Sequence, residues 1–120
     1  MSRRRFTNKK DANQPEIEKA LKRVGAEFID TSDLKKDGFD LLVLFRGSAY
    51  VVEVKNPDAL PKYFFGLDAE GKRERLKKML TDKERGAMQK CENTGNKYII
   101  TYSADHCLRE IGAYSRPFQT

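Results

Sequence analysis

The stretch "GFDLLVLFRGSAYVVEVK", residues 38–55, contains two apolar runs that are joined by a short turn with a glycine. Two such runs around a glycine-containing turn predict a β-hairpin. Asp40 opens the first run, and Glu53 and Lys55 lie within the second. Burying a charged group costs free energy unless that group is paired or binds a metal ion, so these three residues require an explanation.

The position of the turn decides where these charges point. We place Gly47 and Ser48 at its centre, as in a two-residue hairpin loop. The expected facing pairs are Leu42 with Glu53, Phe45 with Tyr50, and Asp40 with Lys55. Because side chains alternate between the two faces of a strand, the three charges share one face and Val52 and Val54 point to the other. Asp40 and Glu53 are then diagonal neighbours, about 7–8 Å apart.

Two explanations of these charges remain open. In the first, Asp40 forms a salt bridge with Lys55, which leaves the second acid, Glu53, at a wet edge of the sheet. In the second, both carboxylates bind one divalent cation at about 2.0–2.4 Å, which removes the repulsion between them. A one-residue slip of register would separate Asp40 from Glu53, so both explanations depend on the turn.

The rest of the chain predicts an α/β domain with a central mixed β-sheet flanked by helices. Helical periodicity and end signals predict helices from residue 13 to 25, from 81 to 95 and from 103 to 112. The segments "AEFIDTS" and "KYIITY" predict two further strands. The predicted order is α-β-β-β-α-β-α. With 120 residues, one domain is the default: a flexible basic arm (1–12), a domain (13–112) with an inserted basic loop or helix region (56–79), and a C-terminal tail (113–120).

Positive charge is concentrated in two places. The net charge is +6, and the first ten residues contain five cations and no acid, so the remainder is close to neutral. The second cluster is "GKRERLKKM". Each cluster is either a solvated surface or a surface that contacts phosphates by counterion release. The candidate nucleic-acid-binding residues are Arg3, Arg4, Arg5, Lys9, Lys10, Lys72, Arg73, Arg75, Lys77 and Lys78. The near-neutral remainder argues against a general basic RNA-binding protein.

Several classes of protein are disfavoured by composition. Cys91 and Cys107 form no CxxC pair, and His106 is the only histidine, which argues against a disulfide scaffold, a zinc cage and a histidine-centred triad. We expect both cysteines to be buried and His106 to lie on the surface. No apolar run approaches the length of a membrane span or a signal peptide, so we expect an intracellular, cytoplasmic protein without membrane contact.

The motifs "GFD…VVEVK" resemble those of the PD-(D/E)xK nuclease superfamily, with an aspartate at a strand start and Glu-x-Lys on the next strand. Together with "DANQPEIEKALKRVGA" and "LTDKE…G", they are similar to the VRR-NUC branch, which includes small stand-alone proteins of phages and prophages. The resemblance covers about residues 10–112 and implies a restriction-endonuclease-like core.

This resemblance implies a metal-dependent endonuclease that hydrolyses DNA phosphodiester bonds, selective for branched DNA or junctions. Asp40, Glu53 and the carbonyl of Val54 would bind Mg²⁺ or Mn²⁺, and Lys55 would polarise the attacking water. The resemblance also implies a homodimer and no small-molecule cofactor. The alternative is a catalytically silent nucleic-acid-binding or regulatory module on the same fold.

The chain departs from the family pattern at three positions. Phe39 stands where the family usually has a proline before the aspartate, and that proline takes no part in the chemistry. Gln14 stands where the leading helix usually presents a glutamate, and Glu84 stands where a later helix usually presents a glutamine. We therefore hypothesise that these two helix residues have exchanged roles, with Glu16, two residues after Gln14, as a further catalytic candidate.

Structural roles compete with these catalytic ones. Asn13-x-x-Glu16 and Thr81-x-x-Glu84 both fit helix capping boxes, in which the glutamate accepts a backbone N–H. Glu84 also shares a helix face with Ala87, Met88 and Cys91, which predicts an inward position. The aromatic run 63–65 is expected in the core, with base stacking and a dimer contact as the alternatives.

Overall fold

The computed structural model describes residues 13–31 and 38–113. The predicted basic arm and most of the C-terminal tail lie outside these residues, as does most of the connection that precedes the hairpin. The helices are α1 (Gln14–Arg23), α2 (Ala69–Lys77), α3 (Asp82–Asn93) and α4 (Ala104–Glu110). The strands are β1 (Glu27–Asp30), β2 (Leu41–Phe45), β3 (Ser48–Val54) and β4 (Lys97–Thr101), and two 3₁₀ turns span Pro57–Ala59 and Lys62–Gly66.

The four strands form one mixed sheet in the order β1-β2-β3-β4. β1, β2 and β3 are successive antiparallel neighbours, whereas β4 pairs parallel to β3 with Val54 opposite Thr101. The carboxyl ends of β3 and β4 therefore lie side by side. The sheet and its flanking helices confirm the α/β class and the predicted order of elements, to which α2 is an addition inside the predicted basic insertion.

Each face of the sheet is covered by its own apolar core. On one face, α1 and α4 pack over inward-pointing residues that include Leu41, Val43, Val52 and Ile99. On the other face, a second core includes Val51, Phe64, Leu76, Tyr98 and Ile100 from β3, β4, α2 and the second 3₁₀ turn, with Ala87 of α3 packed against it. Val52 and Val51 thus point to opposite layers, as the alternation of a strand requires.

The hairpin turn is centred one residue earlier than predicted. Phe45 pairs with Ser48, and Leu42 pairs with Val51, so Arg46 and Gly47 form the loop. Both have positive φ, 50° and 81°, which is the conformation of a type I′ turn and matches the twist of the flanking strands. The predicted Gly47–Ser48 turn and the three predicted facing pairs are therefore wrong. When a two-residue turn moves by one position, the residue opposite each β2 residue changes by two positions along β3. Residues two apart on a strand point to the same face, so the predicted faces of the side chains are unchanged.

Gly38 fixes the entry of the chain into β2. Its φ is +83°, and a Cβ at this position would lie 2.7 Å from the carbonyl oxygen of Lys83 in α3. The Tyr98 hydroxyl donates to the Gly38 carbonyl at 2.6 Å, which anchors the same peptide from β4. The close approach of α3 to the segment before Asp40 therefore requires glycine.

We expect Gly38→Ala to lower the free energy of unfolding by about 2 kcal/mol or more, because the side chain meets both an unfavourable φ and the backbone of α3. Gly86→Ala, in the middle of α3 with open space around a Cβ, is the matched control and should stabilise by about 0.5–1 kcal/mol. Urea unfolding of both variants measures this difference. Equal stability of the two variants would contradict the close approach.

Candidate active site

Asp40 lies at the point where the β2–β3 ladder becomes irregular. Its backbone N–H donates to the carbonyl of Val52 at 2.9 Å, although Val52 also pairs with Leu41. Its carboxylate Oδ2 accepts the backbone N–H of Val54 at 2.9 Å. The Asp40 side chain therefore takes over a hydrogen bond at the end of the hairpin and is held next to the backbone of residues 53 and 54.

Glu53 and Lys55 lie on the face of the sheet that α3 covers, together with Asp40. The Lys55 ammonium Nζ lies 3.4 Å from Glu53 Oε2 and 2.9 Å from Glu84 Oε1. The Asp40 charge acts on Glu53 strongly enough to raise the pKa of Glu53. The prediction that the three charges of the hairpin share one face is confirmed, and their catalytic roles stay predictions.

Glu84 forms the predicted helix cap and also contacts Lys55, while its catalytic role stays a prediction. Its Oε1 accepts the backbone N–H of Thr81 at 2.9 Å and completes a capping box at the start of α3. The same oxygen accepts a hydrogen bond from Lys55. Ala87, Met88 and Cys91 are half-buried on this side of α3, as predicted. The helix cap thus positions a carboxylate against the Lys55 ammonium.

Burial and like charges make Glu53 a weak acid in this site. Burial, followed by the charges of Asp40 and Glu84, raises the pKa of Glu53 to about 10, against a smaller opposing effect of Lys55. Glu53 is therefore neutral at pH 7 in the absence of an added cation. The ion pair at that pH is Lys55–Glu84, although the 3.4 Å distance to Glu53 would suit a second one.

The partners of that ion pair shift in opposite directions. For Lys55, burial favours the neutral form, but the hydrogen bond to Glu84 and the nearby acids outweigh it and raise the pKa. For Glu84, burial again opposes the charge, and the hydrogen bonds from Lys55 and the Thr81 N–H lower the pKa. Both groups are therefore charged at neutral pH, and they hold each other in place.

The leading helix meets the site through Asn13 instead of through Gln14. The Asn13 amide donates to the carbonyls of Lys55 and Tyr102, at 3.1 and 2.9 Å, and its side chain does not cap α1. The predicted capping box of Asn13 with Glu16 is therefore wrong, and Glu16 is exposed. Gln14 is fully buried and donates to Glu18 and Asp30 at 3.0 and 3.4 Å.

The position of Glu84 agrees with the hypothesis that Gln14 and Glu84 have exchanged roles, whereas the position of Gln14 does not support it. Glu84 lies against Lys55, as that hypothesis requires. The Gln14 amide nitrogen instead faces two acids, Glu18 and Asp30, so a glutamate at position 14 would be repelled there. The amide oxygens of Asn13 and Gln14 are buried and have no hydrogen-bond partner in the described part of the chain.

The predicted basic residues divide between the arm and α2. Arg3, Arg4, Arg5, Lys9 and Lys10 lie outside the described residues. On α2, Arg73 contacts the Tyr98 carbonyl and Glu92, Arg75 donates to the Tyr63 hydroxyl at 3.4 Å, and Lys77 pairs with Glu74. Lys72 is half-buried, and Lys78 is exposed. The cluster therefore surrounds the helix and does not form one face.

Aromatic residues lie beside the site, and local sequence patterns do not predict most of these positions. Phe64 is buried, as expected, but Tyr63 and Phe65 are 63% and 50% exposed, so the expectation of a core position is wrong for these two. The sequence predicts Tyr102 only as the end of a strand and His106 as a surface residue. His106 is half-buried, with its ring 4.7 Å from that of Tyr102. Its Nδ1 lies 2.8 Å from the Thr101 hydroxyl.

The two cysteines differ in environment. Cys107 is buried in the first core, as predicted, whereas Cys91 is only half-buried, and both thiols are free. No helix in the described part of the chain has the length and apolar character needed to cross a membrane.

Within residues 13–31 and 38–113, no three His, Cys, Asp or Glu side chains form a group that holds a metal ion by itself. A comparison of this chain with models of protein families, with curated proteins and with solved structures finds no match. The resemblance to VRR-NUC nucleases therefore stays a prediction from the motifs, and the geometry of the site is the main support for a function.

The buried carboxyl of Glu53 predicts a pH-dependent stability in EDTA. Its pKa in the folded protein, about 10, lies above the ordinary value of 4.5, so the folded state keeps a proton that the unfolded state has released. This contribution is complete below pH 4.5 and declines as the pH rises towards 10. From pH 6 to pH 9 we expect wild-type stability to fall by about 2–4 kcal/mol more than that of Glu53→Gln.

Urea unfolding at the two pH values measures this difference. Glu27→Gln, which removes an exposed carboxylate from β1, is the matched control and should behave as the wild type does. A pH dependence that is equal in Glu53→Gln and wild type would show that Glu53 is ionised in the folded protein.

Proposed function

We propose that this chain is a divalent-metal-dependent endonuclease that hydrolyses DNA phosphodiester bonds, with a restriction-endonuclease-like core. The observation that carries the proposal is the convergence of Asp40, Glu53 and Lys55 at the end of the hairpin, on one face of the sheet. This placement fits the roles that the VRR-NUC resemblance gives to the same residues. An ordinary structural salt bridge explains it less well, because Glu53 is an additional buried acid.

The residues at the site fit a hard divalent cation. Their donor atoms are carboxylate and carbonyl oxygens, which Mg²⁺ and Mn²⁺ prefer. The site contains three carboxyl groups and one ammonium, and burial with like charge raises the pKa of Glu53, so the site lacks positive charge. Mg²⁺ commonly binds to one or two carboxylates together with waters and substrate phosphates, so a group of three acidic side chains is not needed.

In this proposal Asp40, Glu53 and the Val54 carbonyl hold the ion. When bound, the ion would supply positive charge that stabilises the phosphate in the transition state and makes a nearby water a stronger nucleophile. The Val54 N–H keeps the Asp40 carboxylate in place. Lys55 places its ammonium beside Glu53, where it orients the attacking water and adds positive charge next to the scissile phosphate. Glu84 positions Lys55 and keeps it protonated.

The proposed substrate is DNA, with branched DNA or junctions as the preferred structures. The basic residues of α2 and its C-cap, together with the basic arm, would contact backbone phosphates without reading sequence; those of the helix are Lys72, Arg73, Arg75 and Lys77, and the C-cap is Lys78. A homodimer is part of the proposal: Ile29 and Leu44 are 53% and 42% exposed on the sheet face towards α3 and could be covered by a second copy. The two free thiols are in keeping with the proposed intracellular location.

A silent nucleic-acid-binding module is the second candidate. It is favoured by Gln14, because the leading helix has an amide where the family usually has a catalytic carboxylate. That amide donates hydrogen bonds to Glu18 and Asp30. Such a module would bind DNA under every metal condition without cutting it. Cleavage assays therefore separate the two candidates directly.

We expect the wild-type protein to cut branched DNA in Mg²⁺ or Mn²⁺ and to be inactive in EDTA. Asp40→Asn, Glu53→Gln and Lys55→Met should each lower the cleavage rate by about a hundredfold or more, because each removes a group that acts on the reacting phosphate. Asp82→Asn and Lys19→Met, which change exposed residues on α3 and α1, are the matched controls. Gel analysis of end-labelled junctions measures the rates. Cleavage that persists in EDTA or in Glu53→Gln would exclude the metal mechanism.

Metal binding should also be visible without any reaction. We expect millimolar Mn²⁺ to raise the melting temperature of the wild type, since a ligand at a hundred times its Kd stabilises by about 2.7 kcal/mol. The increase should be lost in Asp40→Asn and Glu53→Gln and kept in Asp82→Asn. Differential scanning calorimetry with and without EDTA provides the comparison. An equal increase in all variants would place the ion elsewhere.

A further inference from the structure

A cavity of about 520 Å³ lies beside the candidate active site, between α2 and α4 at the outer edge of β4. This volume falls within the range of small-molecule sites in proteins. The polar and aromatic residues that line it are Glu70, Lys72, Arg73, Tyr102, His106, Arg109 and Glu110. None of these residues has a part in the proposed chemistry at the hairpin.

The cavity is one strand away from Lys55. Val54 is paired with Thr101 in the parallel ladder, and the Lys55 N–H donates to the Thr101 carbonyl at 2.8 Å, so Tyr102 follows beside Lys55. Tyr102 packs against the second core, which is on the same face of the sheet as Lys55. Neighbouring strands are about 4.8 Å apart, so a group that contacts both residues needs to span only one strand spacing.

The Tyr102 ring is fixed by other rings and forms an aromatic wall of the cavity. Phe64 and Phe65 contact it edge-on, with centroids 5.1 and 5.9 Å away. The His106 ring lies 4.7 Å from it at an interplanar angle of 33°. Burial lowers the pKa of His106, so this ring is neutral at pH 7 and adds an aromatic surface without adding charge. Any of the four nucleobases can stack on such a surface, because each base has a flat aromatic face.

Cations reach the cavity from both of its helical walls. Lys72 extends from α2 and Arg109 from α4, and Arg73 of α2 also lines the cavity while pairing with Glu92 at 3.3 Å. Glu110 is one of the two acids in the lining, and it pairs with Lys97 at 3.3 Å. An aromatic wall between cations on two sides is the combination that a nucleotide requires, with a flat base and an anionic phosphate.

We propose that this cavity binds one unpaired nucleotide of the DNA strand that is cut, next to the scissile phosphate. The base contacts Tyr102 and His106, and its phosphate lies between Lys72 and Arg109. The inference rests on the proposed nuclease function and deepens it. A paired base cannot enter the cavity, so the preferred substrate has an unpaired nucleotide beside the cut, as in a flap, a fork or an open junction.

The test uses the full chain with Glu53→Gln, so that binding is measured without cleavage. Fluorescence anisotropy compares a duplex that carries a three-nucleotide single-stranded flap with a blunt duplex of the same paired sequence. We expect the flap duplex to bind about tenfold more tightly. Adding Tyr102→Leu or Arg109→Ala should remove most of that preference, and adding Lys72→Ala should weaken it as well.

Matched controls separate this effect from a general loss of charge or packing. Phe28→Leu changes an aromatic residue on the opposite face of the sheet, and Lys19→Ala removes an exposed cation from α1. Both should keep the tenfold preference. If Tyr102→Leu unfolds, as judged by circular dichroism, Arg109→Ala and Lys72→Ala decide the question alone, because both side chains reach the solvent.

The possible outcomes distinguish this inference from the proposed function. Equal affinity for the flap and blunt duplexes, with metal-dependent cleavage intact in the wild type, overturns the nucleotide site and leaves the nuclease. No cleavage by the wild type in any metal overturns the nuclease itself. If free dTMP competes as strongly as the flap oligonucleotide does, the cavity accepts a free nucleotide and the inference about the strand is wrong.

Discussion

The hydrogen bond between the Val54 N–H and the Asp40 carboxylate is the contact on which the site depends. It joins the start of β2 to the end of β3 at the place where the regular ladder stops. Because a backbone donor fixes this carboxylate, Asp40 cannot turn away from its acidic neighbour to reduce the repulsion between them. Glu53 therefore stays buried beside a second acid, and its raised pKa follows from that arrangement.

The face on which the charges lie could be predicted from the sequence because it depends only on parity. The predicted turn lies one residue later than the observed one, so every predicted facing pair is wrong. A two-residue loop that moves by one position changes each partner by two, and side chains two apart on a strand point to the same side. Asp40 and Glu53 are thus on one face in the predicted and the observed hairpin. The sequence does not mark Arg46 as a turn residue, because a positive φ is uncommon for residues other than glycine.

The surroundings of the site could not be predicted, because they depend on contacts between distant parts of the chain. Local patterns identified β4 as a strand but not its parallel register with β3, which brings Tyr102 beside Lys55. They identified Asn13 as a helix cap, whereas its amide joins the carboxyl ends of β3 and β4. Both the strand register and the Asn13 contacts join parts of the chain that are far apart in sequence, which local patterns do not encode.

Glu84 shows that a residue with a helix-capping role can also position another side chain of the candidate site. A capping box fixes a glutamate side chain close to the first turn of its helix, with little freedom to rotate. In α3 the Glu84 oxygen that accepts a hydrogen bond from the Thr81 N–H also accepts one from the Lys55 ammonium. The start of the helix therefore sets where that ammonium lies. The close packing of α3 against Gly38 holds the helix start near the hairpin. The position of the ammonium beside Glu53 is therefore determined by the backbone of two elements and not by the flexible lysine side chain.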